Sequence, residues 1–272
     1  MGRKSVDDAS LAAVANKIRE KTGNNDTMVF PDGFIEKIDI IRGAEDEFIT
    51  KTLVEYSNDR VTYVADYAFE SFPDLKSVVL PYVVNIGNSS FYGNYALQSV
   101  SMPALKIVGD YAFQMCESMN SVDFSSAIEC GEGSFYSCTA LISIDLPNVI
   151  TIGAKSFYQC TNLKSVNCPN VETVGANAFQ DCTSLSSVDF KNLGTMGASA
   201  YVGCSALETV IIRSATLCAG SSNMFRATKI ASGGGYIYVP AALVDSYKTA
   251  TRWSTYANQF RAIEDYPDIC GN

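Results

Sequence analysis

The sequence predicts an α/β repeat solenoid. Its coils are 22 residues long, each with one strand and one short helical turn, between a small N-terminal helical module and a C-terminal cap. Three observations carry this. An aromatic residue preceded by a small one recurs at Phe69, Phe91, Phe113, Phe135, Phe157, Phe179 and Tyr201, every step being 22 residues, with Phe225 following after 24. Other columns keep the same phase, among them Leu75, Leu97, Met119, Leu141, Leu163, Leu185 and Leu207, and Gly87, Gly109, Gly131, Gly153, Gly175 and Gly197. Each period also holds a short run that alternates apolar and polar residues. A unit of this size cannot bury its own apolar face, and stacked copies bury a continuous core.

The first element is a helix in residues 1–43. Ser5-Val6-Asp7-Asp8 starts it as a capping-box-like sequence with Ser5 at the N-cap. Leu11, Val14, Ala15 and Ile18 fall on one face, and Gly23 ends it. Thr27 to Phe30 predicts a short strand, Pro31-Asp32-Gly33 a turn, and Phe34 to Ile41 a second helix. Leu11, Val14 and Ile18 need a tertiary partner, so this module is expected to attach the chain or to mediate self-association.

The solenoid occupies residues 44–230. In a representative coil, Leu141-Ile142-Ser143-Ile144-Asp145-Leu146 alternates with period two and predicts a strand with one buried face. Pro147 ends it because proline cannot donate to a ladder. Val149 and Ile152 form a second apolar pair, and Gly153 marks a turn. Ala154 to Cys160 fits one or two helical turns, with Phe157 and Cys160 inward at i, i+3. Strand spacing of about 4.8 Å gives seven coils a length of roughly 34 Å. Residues 231–272 form the expected cap. Tyr236 to Val239 reads as a strand and Ala241 to Thr249 as a helix, with Trp253, Tyr256, Phe260 and Ile263 as apolar bodies to seal the last coil. The alternative for Trp253, the single tryptophan, is an exposed sugar platform.

The repeat resembles the BspA-like leucine-rich repeat family, whose unit runs Ile-Gly-x-x-Ala-Phe-x-x-Cys-x-x-Leu-x-x-Val-x-Leu-Pro. Val174-Gly175-Ala176-Asn177-Ala178-Phe179-Gln180-Asp181-Cys182, followed by Leu185 and Val188, carries the match, which extends over residues 60–230. Val149 and Val171 stand where the general leucine-rich repeat has a buried Asn or Cys, so no asparagine ladder is expected. The resemblance implies recognition of surfaces without naming the partner. Lys17-Ile18-Arg19-Glu20-Lys21-Thr22-Gly23 and Phe30-Pro31-Asp32-Gly33-Phe34 resemble the N-terminal module of tail and baseplate-associated proteins of phages infecting Gram-positive gut bacteria. Glu55-Tyr56-Ser57-Asn58-Asp59-Arg60-Val61 is similar to their linking strand.

Composition removes several function classes. Hydrophobic residues are 47% and charged ones 18%, which excludes a disordered chain. The balance of 20 Lys+Arg against 29 Asp+Glu, net −9, argues against a basic face for nucleic acid. With no histidine, triad hydrolases and imidazole-dependent zinc sites are excluded. No membrane insertion, cofactor or metal is expected. The first residues predict no ordinary signal peptide, so the chain is expected to be made in the cytoplasm and to leave by another route, such as inside a virus particle. Cys116, Cys138, Cys160, Cys182 and Cys204 share one slot in successive coils. Their parallel Cβ vectors suit buried free thiols better than disulfides.

Two columns point outward on the strand face. One is Ser77, Ser99, Ser121, Ser143, Ser165, Ser187 and Thr209; the other is Val79, Ser101, Asp123, Asp145, Asn167, Asp189 and Ile211. Asp123 and Asp145 could act as a carboxylate pair or hold a hard cation, or could be a solvated acidic patch. A third column, Tyr92, Tyr136 and Tyr158, follows the core aromatic; it could stack on sugars or lie flat over core carbons. The strand face is preferred as the ligand face, because its side chains are short and the resemblance implies a concave sheet.

The expected function is non-enzymatic: a phage tail or baseplate-associated structural protein, located in the virion. Residues 1–43 would join it to other tail proteins, and the solenoid would contact a host surface protein or glycan. The alternatives are an adhesin on the bacterial surface and a carboxylate hydrolase using Asp123 and Asp145.

Overall fold

Each turn of the chain lays down two parallel strands, and every partner lies 22 residues along over most of its length. The structure, a computed structural model, describes residues 53–271, essentially one unit, Val54–Asn272. The N-terminal module with Leu11, Val14 and Ile18 lies outside the described residues.

The expected strand forms the first face. Glu55–Ser57, Ser77–Val79, Ser99–Ser101 and Ser121–Asp123 make one parallel ladder, Ser143–Asp145 and Ser165–Asn167 a second, and Ser187–Phe190, Thr209–Ile212, Tyr236–Val239 and Phe260–Ala262 a third. Ser143 and Asp145 face solvent and Ile144 is buried, as period two requires. The second apolar pair is more than a prelude to a turn. It belongs to a further sheet of seven two-residue strands, among them Glu129–Cys130, Thr151–Ile152 and Thr173–Val174. Two residues are too few for a period to register in sequence.

The arc from Ala154 to Cys160 keeps Phe157 and Cys160 inward but is a chain of turns, not a helix. Lys155 and Gln159 take left-handed φ of 56° and 59°. These reversals send alternate peptides along the solenoid axis. The N–H groups of Lys155, Phe157 and Gln159 donate to the carbonyls of Ala176, Ala178 and Gln180 in the next coil at 2.9, 2.7 and 2.8 Å. Tyr158 and Cys160 donate within the coil, to Lys155 and Phe157. A helix would spend every N–H inside its own coil, so inter-coil pairing wins.

The glycine column has a different cause. Gly153 and Gly175 lack positive φ, but a Cβ on Gly153 would lie 2.6 Å from the Gly131 carbonyl group and one on Gly175 2.5 Å from the Ala154 nitrogen. Neighbouring coils approach too closely there for any side chain.

Inside, the phenylalanines form a column of parallel rings. Phe157 lies 5.1 Å from Phe135 and 5.2 Å from Phe179, with interplanar angles of 7° and 4°. All nine cysteines are buried and free. The five in phase donate their thiols to the carbonyl of the preceding coil's phenylalanine, for example Cys160 Sγ to Phe135 O at 3.1 Å. Asn94 heads this ladder, donating to the Phe69 and Phe91 carbonyls at 2.9 and 3.0 Å and accepting from Phe72 N–H at 2.7 Å. Polar stacking thus uses the Asn94/cysteine slot, while Val149 and Val171 pack as apolar residues.

Candidate functional site

The strand face is built by strand alternation. Ser143, Asp145, Ser165, Asn167, Ser187 and Asp189 are exposed between buried Ile144, Val166 and Val188. Their short side chains leave the sheet surface open.

The carboxylates are engaged separately. Asp123 closes one ladder and Asp145 opens the next, so no ladder in the described residues pairs their strands. Asp123 Oδ1 accepts from the Ser125 hydroxyl at 3.1 Å. Asp145 Oδ1 accepts from Asn167 Nδ2 at 2.6 Å, its register neighbour in the following coil. Asp189 takes a bidentate grip from Arg213, Nε to Oδ1 at 2.9 Å and Nη2 to Oδ2 at 2.8 Å. That bond raises the Arg213 pKa, and Arg213 Nη2 also donates to the Cys270 carbonyl. Asp189 therefore ties the sheet to the last helical turn, Pro267–Cys270. Among the described residues no group of three or more His, Cys, Asp or Glu side chains is placed to hold a metal.

The strand face ends in a shallow depression of about 280 Å³ lined by Ser165, Ser187, Asp189, Thr209, Ile211 and Ile269. Ile269 stands half exposed at its edge. Beyond it, Cys270, Ile263 and Tyr266 pack over Ile211 and Tyr238 and cover the outer surface of the last strands.

The tyrosine column lies on the turn arc. Tyr136 and Tyr158 stack on each other, ring centres 4.7 Å apart, and Gln180 Nε2 reaches the Tyr158 hydroxyl at 3.5 Å. Tyr92 instead lines a second depression of about 360 Å³ with Tyr67, Glu70, Ser89, Tyr111 and Gln114. Tyr111 donates to Glu132 at 2.5 Å, and Lys155 Nζ reaches the same carboxylate oxygen at 3.1 Å. The Tyr111 pKa rises to about 12, chiefly through that bond, while the phenol and the ammonium hold Glu132 below its ordinary value.

Sequence reasoning missed Tyr67, Tyr111, Glu132, Lys155, Arg213 and Ile269. Tyr67, Ser89, Tyr111, Gly133 and Lys155 do share a 22-residue phase, but its residue types change from coil to coil, so no hydrophobic pattern exposes it. Trp253 is 1% exposed and its indole N–H donates to the Cys218 carbonyl at 2.7 Å, so it is not a surface platform. No helix among the described residues is long and apolar enough to cross a membrane.

The model of the BspA type leucine rich repeat region matches residues 52–147 and 128–233, in six copies. Among solved structures, a leucine rich cell surface protein from Faecalibacterium prausnitzii A2-165 aligns with TM-score 0.56 and 24% identity, over 60% of this chain and 48% of its own. A leucine-rich repeat protein from Bacteroides ovatus aligns with TM-score 0.52 and 24% identity, over 70% of this chain and 56% of its own. The T. pallidum leucine rich repeat protein aligns with TM-score 0.52 and 30% identity, over 57% of this chain and 78% of its own. The chain spans about half the length of the first two. No curated protein matches it. The 22-residue register runs along both strand faces over most of their length, the aromatic and cysteine columns stack coil on coil, and the family model covers well over half of the sequence: the chain belongs to the BspA-type leucine-rich repeat family.

Proposed function

We propose that this chain is a non-catalytic recognition protein whose strand face engages a protein partner with a basic surface. The observation that carries this is the run of exposed, short, polar side chains from Ser143 to Asp189, recurring at the 22-residue spacing over three consecutive coils, the first two of which pair in register. Such a surface admits an extended partner and offers each coil a similar contact. The acidic members, Asp123 and Asp145, favour basic groups opposite. Their separate hydrogen bonds to Ser125 and Asn167 fit a contact surface better than the paired general acid and base of a hydrolase.

The test is binding of the full-length protein to host-cell and purified envelope fractions. Asp123→Ala/Asp145→Ala is expected to weaken it, and rising salt should weaken wild-type binding steeply. Unchanged binding by the Asp pair, with loss in Tyr136→Ala/Tyr158→Ala, would move the contact to the turn arc.

Display on a bacterial surface accords with the F. prausnitzii relative, which is described as a cell surface protein. The virion reading rests on the phage-like residues of 1–43 and Glu55 to Val61. Both assign attachment to residues 1–43. Deleting them is expected to abolish incorporation into an envelope or particle while the solenoid retains its melting transition. Unaltered incorporation would remove the attachment role.

A further inference from the structure

Three consecutive coils place Tyr67, Ser89 and Tyr111 in one slot of the turn arc, all with left-handed φ, of 59°, 51° and 55°. Strand spacing puts Tyr67 and Tyr111 about 10 Å apart at the backbone, with the small Ser89 between them. Tyr67 is half exposed. Three residues on from this slot, Glu70, Tyr92 and Gln114 complete the lining. Two phenol rings therefore flank a serine floor, with a carboxylate, a third phenol and an amide at the border.

The gap is held open by what lies beyond it. The next residue in the slot is Gly133, and a Cβ there would come within 2.4 Å of the Tyr111 ring carbons Cδ1 and Cε1. The ring thus leans over Gly133, away from Ser89. The bond to Glu132, itself braced by Lys155, fixes that tilt. A site that is organised before its ligand arrives loses less affinity to ordering.

We propose that this depression is a carbohydrate-binding site that takes a neutral pyranose residue of a glycan. The apolar C–H face of a pyranose packs on a phenol ring, and its hydroxyls need donors and acceptors at the ring's edge. Tyr67 and Tyr111 supply the faces; the Ser89 hydroxyl, the Gln114 amide and the Glu70 carboxylate are of the types that bind sugar hydroxyls. The volume of about 360 Å³ is at the lower end of small-molecule sites. The Asp110 carboxylate, whose charge reaches the Tyr111 phenol, and the net charge of −9 disfavour sialic and uronic acids, which selects uncharged sugars. The site lies on the turn arc and is independent of the strand-face reading.

The slot itself supplies conservative variants. Tyr67→Ser and Tyr111→Ser copy what Ser89 already does there, and Ser89→Tyr copies its two neighbours, so each keeps a residue that the left-handed backbone accepts. The experiment is an array of neutral hexose and N-acetylhexosamine oligosaccharides beside sialylated and uronic-acid ones, probed with the full-length protein, then calorimetric titration of the strongest neutral binder. Wild type is expected to bind neutral glycans only. Tyr67→Ser and Tyr111→Ser should each bind about tenfold more weakly, a 1.4 kcal/mol loss, and Ser89→Tyr should not bind, all three with native melting transitions. Asp123→Ala/Asp145→Ala should titrate as wild type whatever its effect on envelope binding. The proposal is overturned if wild type binds no neutral glycan or binds acidic ones alone. Wild-type affinity in Ser89→Tyr, or loss in the Asp pair, would overturn it as well.

Discussion

Phe157→Ala is expected to destabilise the protein by about 3–5 kcal/mol, as large-to-small changes in cores do. The ring is fully buried and makes parallel contacts with Phe135 and Phe179 at 5.1 and 5.2 Å. Its backbone is pinned on one side by the inter-coil bond to Ala178 O at 2.7 Å, and its carbonyl accepts the Cys182 thiol at 3.0 Å. These bonds keep the arc from collapsing into the space the ring leaves. Because each coil touches only its neighbours, the cavity also weakens coupling between the two halves of the solenoid. The measurement is the denaturant midpoint together with its slope. A fall in midpoint, with a broadened transition, is the expected result; an unmoved midpoint would show that the ring does not carry the stack.

Trp253→Ala is expected to cost a similar amount, about 3–5 kcal/mol from the cavity. A further contribution of about 1–3 kcal/mol comes from the buried Cys218 carbonyl left without its donor. The indole packs edge-on against Tyr247 at 5.2 Å and Phe260 at 5.9 Å, and lies 6.2 Å from Phe225, the last ring of the aromatic column. Gly220 makes room for it: a Cβ there would stand 2.6 Å from the indole nitrogen. Removing the indole therefore exposes Phe225, and unfolding should begin at that end. As the only tryptophan, Trp253 also reports on itself in the wild-type protein. Its emission should resist acrylamide quenching until the protein unfolds. A quenchable native indole, or an unchanged melting temperature in the variant, would contradict this packing.

The buried half of this molecule was largely legible from residue spacing. The phase of Phe157, Leu163, Val166 and Gly175 repeats because stacked coils meet identical constraints, and one-dimensional spacing records those constraints directly. The two-residue strands were not legible, since Thr151–Ile152 has no room for a period. Nor was the turn arc: the i, i+3 spacing of Phe157 and Cys160 suits a helix as well as a pair of turns. What separates them is the left-handed φ at Lys155 and Gln159, residue types that give no sequence signal for it. The candidate binding faces were legible as columns but not as neighbourhoods. Asp189 shares a column with Asp145, yet only the fold shows that Arg213, 24 residues on, claims it. The Tyr67 and Tyr111 pair escaped because Ser89, the residue that makes the gap between them, breaks the column they share.

The proposed recognition role of the strand face is tested most directly by covering it. Burial pushes the Cys160 thiol up to about 12, and all nine native cysteines are buried, so a maleimide should leave them alone in the native protein. Ser165→Cys would then add one reactive thiol at an exposed position in the middle of the face, and Thr151→Cys one on the outer surface of the other sheet. Each full-length variant, carrying a bulky maleimide, is measured beside the wild-type protein for binding to envelope fractions. The account predicts that the label at residue 165 abolishes binding and that the label at residue 151 leaves it intact. Undiminished binding with residue 165 covered would contradict it.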